Sequence, residues 1–263
     1  MSGRFMTMKS AADFEQMKIA GAVVAAVHNA VRAAVAPGVT MLELDAIAHK
    51  VIRDADCRPS FLGYHGFPAS ICTSPNEVIV HGIPDGYKLR DGDIISIDAG
   101  AIYEGWHGDA AFTMAVGEIP AEAKQLIEIT EQGLWAGIAA AQPGNRLGDI
   151  GAAISAVAAS HGYGVVREYI GHGIGRQMHE APDVPNYGKP GKGLKLKAGM
   201  AIAIEPMFNL GTAATSVLED GWTVVTQDGK LSAHWEHTVL ITKQGAVVST
   251  LPEPKLVSAS PEG

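Results

Sequence analysis

APGVTMLELDAIA at residues 36–48 and QPGNRLGDIGAAI at residues 142–154 align without a gap, 106 residues apart. Pro37-Gly38 pairs with Pro143-Gly144, Met41 with Leu147, Glu43 with Asp149, Leu44 with Ile150 and, just beyond, Val51 with Val157. Each copy sits in the same order of elements. Between Ala12 and Val35 the residues Phe14, Met17, Gly21, Val24, Val27 and Val31 recur at three- and four-residue steps, which predicts an amphipathic helix with Ser10 as its N-cap. Pro37-Gly38 ends it. A second helix over about 41–56 carries Leu44, Ile47, Ala48 and Val51 on one face, and strands and turns follow to about Val116. The order then restarts, with a helix over about 121–141, the second Pro-Gly break, a helix over about 147–161 and strands to about Ser249.

A helix, Pro-Gly break, helix, strands order used twice predicts an internal duplication, with halves at about 12–117 and 121–250 related by a pseudo-twofold axis. Such halves meet at a functional cleft. The alternative is a chance match, since Pro-Gly breaks are common between helices. The coarse architecture is the same either way. Helix pairs covering one face of antiparallel strands make an α+β fold, because no βαβ alternation and no GxGxxG turn marks a parallel doubly wound sheet.

With 263 residues, 47% hydrophobic and 18% charged, the chain suits a single catalytic domain over 1–250 with a large core. PEPKLVSASPEG, after Leu251, reads as a flexible tail over 251–263. The N-terminal MSGRFMTMKSAADFEQ has no apolar signal region and no apolar run is long enough to span a membrane, so a cytoplasmic protein is expected. A net charge of -8 without a Lys/Arg run argues against a specific nucleic-acid partner. Cys57 and Cys72, without CxxC spacing, predict neither a structural disulfide nor a thiolate metal site.

The chemistry starts at IISIDAGAIYEGWHGDAAFT, residues 94–113. Ile94, Ile95, Ile97 and Ala99 read as a buried strand and 110–116 as another. A hairpin centred on Tyr103 and Glu104 makes Asp98 and Asp109 cross-strand neighbours on one face. Two ionised carboxylates on a buried face repel and lose hydration unless a proton or a cation lies between them. Otherwise one aspartate caps a turn and the other is solvated. Further ligands decide the matter. GHGIGRQMHE sets His172 between two glycines and His179 beside Glu180, MAIAIEPMF ends an apolar strand on Glu205, and SAHWEHTVLIT places Glu236 inside another. Asp98, Asp109, His172, Glu205 and Glu236 together make an oxygen-rich set without thiolate. It suits a pair of divalent first-row ions, Mn, Fe, Co or Zn, and is a poor structural zinc site.

These motifs, with YHGFPASICTSPNEVIVHGIPD at 64–85, closely resemble the methionine aminopeptidases of the type I, bacterial form, over nearly the whole chain. The resemblance implies the "pita-bread" fold, two pseudo-symmetric αβ halves with antiparallel strands in a central sheet and helices outside. It implies two divalent metal ions bound by Asp98, Asp109, His172, Glu205 and Glu236, with Asp109 and Glu236 bridging. It makes His81, His179 and Glu205 catalytic: Glu205 shuttles a proton, His179 bonds the substrate carbonyl, and His81 contacts the scissile nitrogen or leaving amine. Tyr64, His65, Phe67, Cys72, His81, Met178, His179 and Trp222 are the implied substrate-binding residues. The implied reaction is hydrolytic removal of initiator methionine from nascent proteins and peptides with a small second residue. The implied enzyme is a monomer working near the ribosome's exit tunnel.

Two departures concern pocket shape, Met178 where many relatives have an aromatic residue and Phe61 where some have cysteine. Only 24 residues separate Glu180 from Glu205, too few for the helical insert of type II enzymes. Within the same fold, proline-specific peptidases carry a large N-terminal domain with no room before Asp98, and the creatine-hydrolysing branch lacks the metal carboxylates. A non-catalytic peptide- or ribosome-binding member has no need for so many desolvated charges.

Overall fold

The structure is a computed structural model that describes residues 5–258. Among the described residues four α-helices form in two pairs: α1, Ala11–Ala34; α2, Met41–Asp54; α3, Ala121–Ala140; and α4, Leu147–Ala159. Ser10 caps α1 and Thr40 caps α2, each reciprocated by an acid three residues on, Asp13 and Glu43. Asp149 stands at the matching position of α4 and takes the Arg146 N–H at 2.7 Å, as Glu43 takes the Thr40 N–H at 2.7 Å.

Repetition extends to the backbone. Gly38 N bonds Leu89 O and Met41 N bonds Tyr87 O; in the second half Gly144 N bonds Leu196 O and Leu147 N bonds Leu194 O. Val116 N bonds Asp93 O and Ile241 N bonds Met200 O, both at 2.8 Å. The mixed helix and antiparallel-sheet architecture is thus the expected α+β fold, with one set of contacts made twice.

A ten-stranded sheet runs through both halves. Its centre is the antiparallel contact of Trp106–Ala115 with Glu236–Ile241, flanked by Ile94–Tyr103 on one side and Ala201–Ile204 on the other. The helices pack on one face, and the apolar core they form with the sheet includes Val24, Val27, Val31, Leu44, Ile52, Phe112, Leu134, Ile154 and Val239. Cys57 and Cys72 are buried free thiols. Among the described residues no helix is long and apolar enough to cross a membrane.

The flexible tail expected from residue 251 does not describe the segment after it. Lys255–Val257 pair with Ala246–Val248 as a strand at the sheet's margin, and Leu251 packs on the core. Three residues, Lys255–Val257, suffice for one ladder on an open edge, which composition alone does not reveal. Residues 259–263 lie outside the described residues.

Candidate metal centre

The strands Ile94–Tyr103 and Trp106–Ala115 are joined by Glu104 and Gly105, both with positive φ, 47° and 80°. That is the two-residue turn whose twist matches a hairpin. It moves the register from the expected one. Asp109 faces Gly100 and Asp98 faces Ala111, so the aspartates are offset by two residues rather than directly opposed. A turn centred on Tyr103 and Glu104 asks a tyrosine to take positive φ; the observed turn gives one such position to glycine. Because side chains alternate with period two, both carboxyls still share one face, as diagonal neighbours.

Ala111 faces Asp98 on one side and Glu236 on the other, so the three lie on one rung and project to one face. Ile204 faces His237, and one further residue brings Glu205 level with Glu236. His172 comes from Gly171–Gly173, and its flanking glycines are required by close backbone. A Cβ on Gly171 would meet Ala203 O at 2.3 Å and one on Gly173 would meet Ala181 O at 2.1 Å. His172 Nδ1 donates to Gly173 O at 2.9 Å, which leaves Nε2 as a lone pair 3.5 Å from Glu205 Oε1 and 3.9 Å from Asp109 Oδ2.

Ligand atoms of Asp109, His172 and Glu236 all lie within 4.8 Å of one another. Asp98 Oδ1, Asp109 Oδ1 and Glu236 Oε1 are buried without a hydrogen-bond partner. Burial pushes the Asp98 carboxyl up to about 7. It raises Asp109, with Glu236 and Asp98 adding repulsion, and likewise Glu205 beside Asp98 and Asp109, and Glu236 beside Glu205 and Asp98. Orphaned carboxylate oxygens, an imidazole lone pair and mutual repulsion together fit divalent cations in this centre.

A cavity of about 140 Å³ opens from the carboxyls and is lined by Phe61, Tyr64, Phe67, Cys72, His81, Met178, His179 and Trp222. It is well below the roughly 300–1,000 Å³ of drug-sized pockets and matches a single side chain. Of the residues expected at the site, only His65 is outside it: exposed, in a Tyr64–Gly66 turn, its ring against Tyr64. His179 stands 4.2 Å from the His172 ring, with Nδ1 2.7 Å from the Tyr64 hydroxyl. His81 has φ 60°, a left-handed conformation that a non-glycine residue holds only under strain, and its burial lowers its pKa.

His234 was not among the expected residues. Its Nε2 lies 3.9 Å from Glu205 Oε2, and burial, with His81 nearby, pushes its pKa down to about 3. Period-two spacing from Glu236 was the signal available in SAHWEHTVLIT. Tyr169, edge-on to the His81 ring at 5.6 Å, was also missed, and no motif pointed to it.

A model of metallopeptidase family M24 matches residues 15–243. The methionine aminopeptidase 1 of Mycobacterium tuberculosis is 52% identical over 255 residues, spanning 94% of this chain and 96% of its own. That of Clostridium acetobutylicum is 51% identical over 247 residues, spanning 94% and 99%. The crystal structure of methionine aminopeptidase from Rickettsia prowazekii superposes with a TM-score of 0.92 at 43% identity, over 94% of this chain and all, 100%, of that one. The chain belongs to the methionine aminopeptidases of family M24. A prolidase from Pyrococcus furiosus shares the fold, with TM-score 0.73 and 22% identity over 94% of this chain but 66% of its own. As a methionine aminopeptidase in a metallopeptidase family, the chain is an enzyme that uses divalent metal. The carboxyl and imidazole cluster is where the structure can hold it.

Proposed function

We propose that this chain hydrolytically removes the N-terminal methionine from nascent proteins and peptides, and that it prefers a small second residue. The observation that carries the reading is the 140 Å³ apolar cavity closed at one end by buried, unpartnered carboxylate oxygens. A cavity of that size takes one side chain, and the carboxyl end leaves room for the amine and first carbonyl but for little bulk beyond them.

In this reading Asp98, Asp109, His172, Glu205 and Glu236 would hold two divalent ions, Co, Mn, Fe or Zn. Such ions supply Lewis acidity to a water and to the scissile carbonyl. Glu205, whose pKa burial and neighbouring aspartates raise, takes the proton of the attacking water and passes it toward the leaving amine. With the Tyr64 hydroxyl donating to Nδ1, His179 would carry its proton on Nε2 and bond the carbonyl oxygen as negative charge develops there. His81, kept neutral by burial, contacts the scissile nitrogen. Tyr64, Phe67, Cys72, Met178 and Trp222 wall the methionine side chain, Phe61 joins them, and His65 meets the peptide outside the cavity.

Residues 1–250 act as one catalytic unit, in the cytoplasm, as a monomer that meets nascent chains near the ribosome. The test is release of methionine from Met-Ala-Ser by metal-stripped protein before and after Mn(II) or Co(II), beside Ala-Ala-Ser and Met-Leu-Ser. Metal-dependent cleavage of Met-Ala-Ser alone is expected. Equal cleavage of Met-Leu-Ser overturns the second-residue preference, and metal binding without any cleavage overturns the activity.

A further inference from the structure

Behind the metal centre, on the helix side of the sheet, a cleft of about 420 Å³ opens between α1 and α3. It lies over the seam where the Asp109 strand meets the Glu236 strand. Arg32 of α1 spreads its guanidinium over the Phe112 ring, 3.5 Å from the centroid, and within 5.6 Å of Trp235. No acceptor among the described residues takes its N–H groups, although burial works against its charge. Glu131 of α3 also lines the cleft; it acts on Arg32 electrostatically from outside ion-pair distance, and among the described residues it has no hydrogen-bond partner. Of the remaining polar walls, Asn29 is exposed and the buried Trp235 Nε1 has no partner among the described residues, whereas the two histidines are committed. His28 Nε2 bonds Ala110 O at 3.0 Å and His237 Nδ1 bonds Thr250 Oγ1 at 2.9 Å, and both rings are held neutral by burial.

A half-buried guanidinium without an acceptor calls for a carboxylate, and an unpaired carboxylate facing it calls for an ammonium. An inorganic anion answers only the first and brings a second negative charge toward Glu131. A molecule with both groups on one carbon answers both. Trp135, half-buried at the cleft, has Lys255 Nζ 5.4 Å from its ring centroid and the His237 ring 5.6 Å away, and adds an apolar wall against which a side chain can pack. The volume lies within the usual range of about 300–1,000 Å³ for small-molecule sites.

We propose that the cleft binds a free α-amino acid, its carboxylate on Arg32, its ammonium on Glu131 and an apolar side chain against Trp135. The site is separate from the cavity of the metal centre and connects to it through the backbone. Thr250 Oγ1 also accepts from Thr238 N at 3.2 Å, and Thr238 Oγ1 exchanges hydrogen bonds with Asp109 N and O at 3.0 and 2.8 Å.

The test is calorimetric titration of L-methionine into the metal-loaded full chain, with Trp135 emission as a local reporter and Trp135→Phe as its control. The wild type is expected to show a saturable event that Arg32→Gln and Glu131→Gln each weaken about tenfold or more, while both still hydrolyse Met-Ala-Ser. Deaminated and decarboxylated methionine are expected to bind about tenfold more weakly than methionine. Glu131→Gln leaves the packing of Arg32 on Phe112 intact, so it decides the matter if Arg32→Gln misfolds. Binding unchanged in Glu131→Gln, or deaminated methionine binding as well as methionine, overturns the proposal. So does the absence of any event beyond one that both variants retain, which belongs to the metal centre.

Discussion

Lys9→Met is expected to loosen the loop that carries Met178 and His179 while touching neither. Lys9 Nζ lies 2.8 Å from Glu180 Oε2, with the two side chains only 1% and 2% exposed. Thr7 Oγ1 donates to the same oxygen, Gln177 N donates to Oε1 at 3.2 Å, and Lys9 Nζ also reaches Thr7 O at 3.1 Å. Burial opposes the charge of both partners. It lowers the Lys9 pKa in spite of Glu180, whereas for Glu180 the donors Lys9, Thr7 and Gln177 outweigh it and bring the carboxyl below 4.5. The two shifts speak differently about the pair; the polar partners around both charged ends favour the ionised pair near neutral pH.

Removing one partner of a buried pair costs about 3–5 kcal/mol because the other charge is stranded. Thr7 and Gln177 still serve Glu180, so the lower end applies, about 3 kcal/mol. In a chain of this size that is a fall of roughly 6–12 °C in Tm. Adding Glu180→Gln removes the stranded charge and is expected to restore about half of the loss. Because the folded-state pKa of Glu180 is depressed, its contribution is complete above about pH 4.5 and is lost as pH falls, so the penalty of Lys9→Met shrinks in acid. Urea unfolding of the metal-loaded proteins gives the energies, and Met-Ala-Ser turnover, expected to drop about tenfold, reports the loop. A loss under about 1 kcal/mol, as for a surface pair, refutes the reasoning. So does a double variant no more stable than the single.

Asp109→Asn is expected to raise the Tm of metal-stripped protein at pH 8, by relieving repulsion with Asp98 and Glu236, and to lower that of metal-loaded protein; scanning calorimetry of both forms checks it. The Asp98 pKa, raised from 3.8 to about 7, gives stability that is full below the unfolded value and lost as pH rises through 7 in the absence of metal. Metal therefore binds with proton release, and titrations at pH 6 in buffers of different ionisation enthalpy are expected to show it; buffer-independent heats contradict the assignment. His179→Ala is expected to keep its metal, measured by elemental analysis, and to lose roughly two to three powers of ten in kcat.

The helices were legible because their signals are local: Ser10 as an N-cap, apolar steps of three and four, and Pro-Gly after each first helix. The cluster of carboxyls was legible through glycine-flanked and strand-end positions. Its register was not, since a shift of the turn by one residue moves the pairing by two and preserves the face. The Lys9–Glu180 pair spans 171 residues, and no local pattern announces a contact of that kind. His234 was overlooked for a different reason, because a histidine beside a tryptophan in an apolar strand reads as core until the partner strand is known.

That partner strand explains the shape of the centre. Gly92, Ile95, Ile97 and Asp98 recur 107 residues later as Gly199, Ile202, Ile204 and Glu205, so the two acids are one position used twice. Across the seam, Thr238 Oγ1 exchanges bonds with Asp109 N and O, while Thr113 Oγ1 exchanges the same bonds with His234 N and O. Asp109 and His234 are therefore mates, and so by the same step of 125 are Ala111 and Glu236, which face each other on one rung. Two glutamates on that rung would set like charges directly opposite at a buried point of the sheet, which is unfavourable. The duplication can supply a symmetric pair of flanking acids, but its axis has room for one carboxylate. Alanine on one strand and glutamate on the other is how this chain resolves the conflict, and Asp98, Asp109 and Glu236 share the face onto which that rung projects.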